Sequence, residues 1–145
     1  MAMTLRLRRT LAYLAVGVLA ATAGLVATAS PAQAFGGEIL GCRVSPGPAT
    51  AFTNPCTNKV GAATYNAGFW LQNLSGTGYT FSWSWTGGPV LSIVAGCTST
   101  SDGCGLKVAN SDTIVRATVT YSQGGQTASQ TATARIRLFC GSVPC

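Results

Sequence analysis

The sequence predicts an all-β protein: an antiparallel sandwich of about seven strands, stapled by disulfides and made behind a cleavable leader. Three observations predict it. Tyr79–Trp85 reads YTFSWSW, with a ring at every odd position and a small hydroxyl at every even one, the period of a two-faced strand. "DTIVRATVTYSQGGQTASQTATARIRLF" places two alternating runs around Gly124-Gly125. Such a two-residue glycine loop marks a hairpin, because glycine accepts the positive φ the loop requires. Six cysteines, an even number, all lie after residue 34.

The leader is read from the first residues. "MAMTLRLRRT" is basic, Leu11 to about Val26 is apolar, and "ASPAQA" ends in the small-x-small pattern Ala32-Gln33-Ala34. That order makes residues 1–34 a secretory signal peptide. Removing the first 34 of 145 residues leaves 111, residues 35–145, the length of one domain. No later apolar run is long enough to span a bilayer, so no membrane span is expected after cleavage.

Three of the nine basic residues leave with the leader. The remaining six stand against Glu38, Asp102 and Asp112, a mild and dispersed net charge of +3. Nucleic-acid binding asks for a denser basic face and is not expected. The chain has no histidine, so neither a Ser-His-Asp nor a Cys-His arrangement can be assembled. Glu38 falls in a segment expected to be loose, and Asp102 and Asp112 fall in the turn sequences "SDGC" and "NSDT". No enzyme activity, catalytic residue or cofactor is therefore expected. Without histidine or a Cys-x-x-Cys pair, no metal site is expected either.

The cysteines instead read as three disulfides. Cys97 and Cys104 enclose the turn-rich "TSTSDG", Cys140 and Cys145 close a short loop around Pro144, and Cys42 and Cys56 remain across a Pro/Gly-rich segment. A longer bridge from Cys42 or Cys56 to the C-terminal strand is the rival pairing, since six cysteines allow 15 connectivities.

Along the chain, "FGGEILGCRVSPGPATAFTNPC" supplies one edge strand, followed by strands at about Ala67–Asn73, Tyr79–Trp85, "VLSIVAG", "GLKVAN" and the two arms of the last hairpin. Counting outward from Gly124-Gly125 pairs Tyr121 with Ala128, Val119 with Gln130, Ala117 with Ala132 and Val115 with Ala134 on one face. Thr120 then meets Ser129, Thr118 meets Thr131 and Arg116 meets Thr133 on the other. The alanine-rich face calls for large side chains from an opposing sheet, and the ring row of Tyr79–Trp85 is the expected supplier.

"GYTFSWSWTGG" and "IVRATVTYSQGGQTASQTATARI" resemble the immunoglobulin-like modules of the polycystic-kidney-disease (PKD) type found in bacterial secreted proteins. The resemblance covers about Phe69–Leu138 and implies an immunoglobulin-like sandwich used as a surface module. "WSWTGG" stands where many such modules carry Trp-Asp-Phe-Gly-Asp-Gly, so no calcium site is implied.

Two sets of residues are candidate ligand contacts. Phe69 and Trp70 are adjacent and point to opposite faces of a strand, which leaves one ring outside; Trp85 sits beside the "TGGP" turn. Trp70 and Trp85 are thus candidates for polysaccharide contact, against the plainer expectation that the aromatic row is core. Arg116, Arg135 and Arg137 share the threonine-rich face of the last hairpin, either as a solvated face or as a site for an anionic surface. The expectation is a secreted, non-catalytic binding or structural module, extracellular or associated with the cell wall, whose partner is an extracellular protein or polysaccharide. A carbohydrate-binding module using exposed Trp is one alternative. A small enzyme inhibitor presenting residues 98–103 is the other.

Overall fold

Side-chain alternation builds the fold strand by strand. The computed structural model describes Phe35–Pro48 and Thr50–Cys145, and the leader expected over residues 1–34 lies outside the described residues. The strands are β1 (Ile39–Ser45), β2 (Cys56–Thr57), β3 (Thr64–Gln72), β4 (Thr80–Gly87), β5 (Val90–Gly96), β6 (Gly103–Ala109), β7 (Thr113–Gln123), β8 (Gln126–Ile136), β9 (Phe139–Cys140) and β10 (Val143–Pro144). Among the described residues there is no helix, and hence none long and apolar enough to cross a membrane. The described residues form ten strands where about seven were expected. β2, β9 and β10 are two residues each, too short to show any alternation in a sequence.

Two four-stranded sheets face each other in a sandwich-like arrangement. One runs β1-β3-β6-β5 and the other β2-β8-β7-β4; the short β9 and β10 pair apart. All pairings are antiparallel except β2 with β8. Tyr65, Phe69 and Leu71 of β3 and Leu106 and Val108 of β6 point inward from the first sheet. Val115, Val119 and Tyr121 of β7 and Ile136 of β8 point inward from the second. Each large apolar side chain buried there stabilises by roughly 1.5–3 kcal/mol.

The last hairpin has the register counted from its glycines, from Thr113↔Ile136 to Gln123↔Gln126. The ring row does not fill the alanine face from across the sandwich, however. β4 is the neighbour of β7 in the same sheet, with Phe81↔Tyr121, Trp83↔Val119 and Trp85↔Ala117. The space over Ala117, Ala132 and Ala134 is filled from the β1-β3-β6 side, where the large inward residues lie.

Gln130, the polar residue on the inward face of β8, joins the sheets. Its Oε1 accepts the Leu40 N–H at 2.9 Å, and its Nε2 donates to the Glu38 carbonyl. Glu38 itself is not loose: it is 2% exposed. The disulfides are Cys42–Cys56, Cys97–Cys104 and Cys140–Cys145, closing separations of 14, 7 and 5 residues. Each contributes roughly 2–3 kcal/mol by restricting the unfolded chain. They use every cysteine, which fits an extracellular, oxidising setting.

Candidate functional site

The outer face of the β7–β8 hairpin carries the arginines. Alternation sets Arg116 opposite Thr133, and Arg135 two residues farther along β8, opposite Ile114; Arg137 follows just past the strand. These side chains form the floor of an open groove of about 540 Å³, and residues 54–57 form its wall.

That wall is held to the edge of β8 by side-chain amides. Asn54 donates through Nδ2 to the Thr131 carbonyl at 3.0 Å and accepts the Thr133 N–H at 3.1 Å. Cys56 and Thr57 pair alongside Ala134 and Arg135. Asn58, 2% exposed, takes the N–H of Arg137 at 2.8 Å and donates to its carbonyl at 2.9 Å. Cys42–Cys56 and a main-chain pair between Cys42 and Thr53 tie the same segment to β1. The wall is therefore pinned on both sides. None of the chain's three carboxylates lines the groove.

The chain's one glutamate does not line the groove and is engaged elsewhere. Glu38 accepts from the Gly36 N–H (2.7 Å), the Tyr79 hydroxyl (2.8 Å) and the Tyr121 hydroxyl (3.2 Å). Burial works against its ionisation. The hydrogen bonds, from its own backbone, Tyr79, Gly36 and Tyr121, outweigh that and hold its pKa below the usual carboxylate value. Tyr121 shifts the other way: burial, then the Glu38 charge, push its phenol up.

Trp70 stands on the outer face of the other sheet and is 46% exposed. Glycine flanks it on both neighbouring strands, Gly41 of β1 and Gly103 of β6, and Gly68 pairs with Gly105 one dipeptide along. Side chains from elsewhere fill the room these glycines leave: Phe52 and Gln72 lie against Gly41, and Val94 against Gly105. The Phe52 ring lies 5.8 Å from it at 55°, and the Arg43 guanidinium sits 4.9 Å over the Phe52 face. The two rings are tilted, so they form a corner and not a flat pair.

Trp85 is half-buried and packs against the core, as does Trp83, whose Nε1 donates to the Ser101 carbonyl at 2.9 Å. Of the candidate contacts, the structure brings Arg116, Arg135 and Arg137 together in one groove, leaves Trp70 alone on the opposite outer face, and turns Trp85 inward. Sequence reasoning missed Asn54, Asn58 and Phe52. "TNPCTNK" offers the asparagines only as turn residues, and Phe52 lies in no alternating run.

Against known proteins, the chain matches no protein-family model, no curated protein and no solved structure.

Proposed function

We propose that this chain is a secreted, non-catalytic immunoglobulin-like module that binds or scaffolds outside the cell or at its surface. The observation that carries the reading is the strand order. Lettering the seven strands of seven or more residues A to G along the chain gives A-B-E-D in one sheet and G-F-C in the other. That is the order of immunoglobulin constant-type domains. Export is supported by three disulfides that use all six cysteines. The non-catalytic part is supported by the absence of histidine from the sequence and by the commitment of Glu38 to two tyrosines. Fractionation of a producing culture, with thiol counting and a panel of ester, glycoside and peptide substrates, tests it. The protein is expected in the medium or wall fraction, fully oxidised and without turnover. Recovery as a reduced cytosolic protein overturns the reading, and so does turnover that co-purifies with the folded chain.

A second reading, carbohydrate binding, is favoured by one observation: Trp70 is exposed on the outer face of its sheet, where a sugar ring can stack on it. Pull-down on insoluble polysaccharides tests it, with retention expected for the wild type and lost in Trp70→Ala. The inhibitor reading rests on the exposed residues Thr98–Thr100. Their loop is pinned at the Ser99 carbonyl by the Phe81 N–H and at the Ser101 carbonyl by Trp83. Protease and glycosidase inhibition, before and after replacement of residues 98–100, tests that reading.

A further inference from the structure

We infer that the arginine groove is a binding site for a linear polyol polymer carrying a phosphate at each repeat. The inference rests on the reading of the chain as a binding module and names the ligand chemistry of one of its faces.

The groove lining holds no carboxylate to set against its charge; Asp112, one residue before β7 on the Arg137 side of the register, lies outside it. Arg116, Arg135 and Arg137 are exposed and line one depression, and no carboxylate lines it with them. Guanidinium is the side chain best matched to two oxygens of one phosphate. Arg135 and Arg137 are two residues apart along the chain, a spacing of about 7 Å in an extended backbone. Arg116 lies diagonally across on β7. The array is thus a short row of cations, which suits successive anions on a chain better than one small ion. The wall is fixed by Asn54, Asn58 and the Cys42–Cys56 bridge, so little ordering is left for the ligand to impose.

Beyond the arginines the same outer face carries only hydroxyls. Successive rungs are Ser84–Thr118–Thr131, Ser82–Thr120–Ser129 and Thr80–Ser122–Thr127. On the hairpin these hydroxyls pair at 2.7, 2.8 and 2.8 Å. The Thr118–Thr131 and Ser122–Thr127 pairs each use one of their two hydroxyl protons and leave the other for a ligand; in the middle pair Ser129 also donates to the Val119 carbonyl at 3.3 Å, so that pair offers lone pairs alone. Cations at one end and hydroxyls along the rest match a polymer that alternates phosphate with polyol. No aromatic ring lines the groove, so nucleobases find nothing to stack on, which disfavours single-stranded nucleic acid of similar phosphate spacing.

The test is titration calorimetry of the purified, oxidised protein with poly(glycerol phosphate) at two salt concentrations, with phosphate release followed in the same samples. Binding is expected in the wild type. Arg135→Gln or Arg116→Gln should each weaken it roughly tenfold, and each should reduce the dependence of log K on log salt by about one. Lys107→Gln, in β6, removes the same charge from the other sheet and should leave affinity unchanged. Equal weakening by Lys107→Gln overturns the inference, because net charge and not the groove is then responsible. Equal or tighter binding of polyglutamate, or of an oligothymidylate, also overturns it. No binding at either salt concentration overturns it while leaving the binding-module reading standing. Binding with phosphate release supports the site and removes the non-catalytic reading.

Discussion

The side-chain amide of Asn58 replaces a missing strand for Arg137: its Oδ1 takes the Arg137 N–H at 2.8 Å and its Nδ2 donates to the Arg137 carbonyl at 2.9 Å. Asn110 does the same for Phe139, at 3.0 and 2.9 Å, and Asn54 does it across Thr131 and Thr133. Asn54 and Asn58 thus continue the hydrogen bonding of the β8 edge where no full strand lies beside it, while Asn110 serves Phe139 of β9 from the β7 side. An edge closed in this way offers no free ladder to another chain.

Asn58→Ala leaves both of those main-chain groups without a partner beneath a buried side chain. The expected loss is about 2–3 kcal/mol, read as a lower urea midpoint with an unchanged slope. Asn58→Asp keeps the acceptor but turns an oxygen toward the Arg137 carbonyl, and should cost about as much. An Asn58→Ala midpoint equal to wild type would show the clamp to be energetically idle.

The pH dependence of stability should follow Glu38 and Tyr121. Glu38 holds its proton more weakly folded than unfolded. Its contribution is full above the unfolded glutamate value, about 4.3, and is lost as pH falls through the lower folded value. Tyr121 holds its proton more tightly when folded. Its contribution is full below the unfolded phenol value, about 10, and is lost as pH rises through the raised folded value. Urea midpoints measured across pH should therefore fall at both ends. Glu38→Gln should flatten the acid limb and lower stability at neutral pH by about 1–2 kcal/mol. An acid limb as steep in Glu38→Gln as in wild type would remove Glu38 as its cause.

How far the sequence reaches can be seen by comparing β4 with the last hairpin. Gly124-Gly125 fixes a local turn, alternation fixes the faces on either side, and together they determine every pair from residue 113 to residue 136. For β4 the same alternation gives the inward face but not the neighbour. Partner choice is a long-range matter, and β4 joins β7 in one sheet instead of opposing it. The candidate sites divide in the same way. The arginines were readable because one hairpin carries them. The groove wall was not, because Asn54–Asn58 meets β8 through side-chain amides from 77 to 79 residues away in sequence. Trp70 was readable as one of two adjacent rings on opposite faces, whereas its glycine flanks come from β1 and β6 and appear only once the strands are paired.

Glycine at position 87 is a steric requirement of the crossing from β4 to β5. Its φ is +81°, and a Cβ there would lie 2.0 Å from the Ile114 carbonyl oxygen, which is main chain and cannot step aside. Gly125 also has positive φ, +82°, but a Cβ there meets nothing within 4 Å. Gly125→Ala should therefore cost about 1 kcal/mol, the backbone strain alone. Gly87→Ala should cost well above about 2 kcal/mol and should move Ile114 and the end of the arginine groove. Equal losses in the two variants, measured by urea unfolding, would contradict the steric account.

Tryptophan emission separates the inward row from the exposed ring. Trp70 is 46% exposed, and Trp83 and Trp85 are half-buried against the core. Acrylamide should quench one component of the emission readily, and Trp70→Phe should remove that component and shift the remaining spectrum to the blue. Trp83→Phe should leave the quenchable component in place. It gives up the 2.9 Å bond to the Ser101 carbonyl, at a cost of about 1–2 kcal/mol, and should make residues 98–103 exchange amide hydrogens faster. If Trp70→Phe leaves quenching unchanged, the exposed ring is not Trp70 and the carbohydrate reading loses its contact. If Trp83→Phe instead removes the quenchable component, the ring row opens to solvent at its β4 edge and the inward placement of that row is wrong.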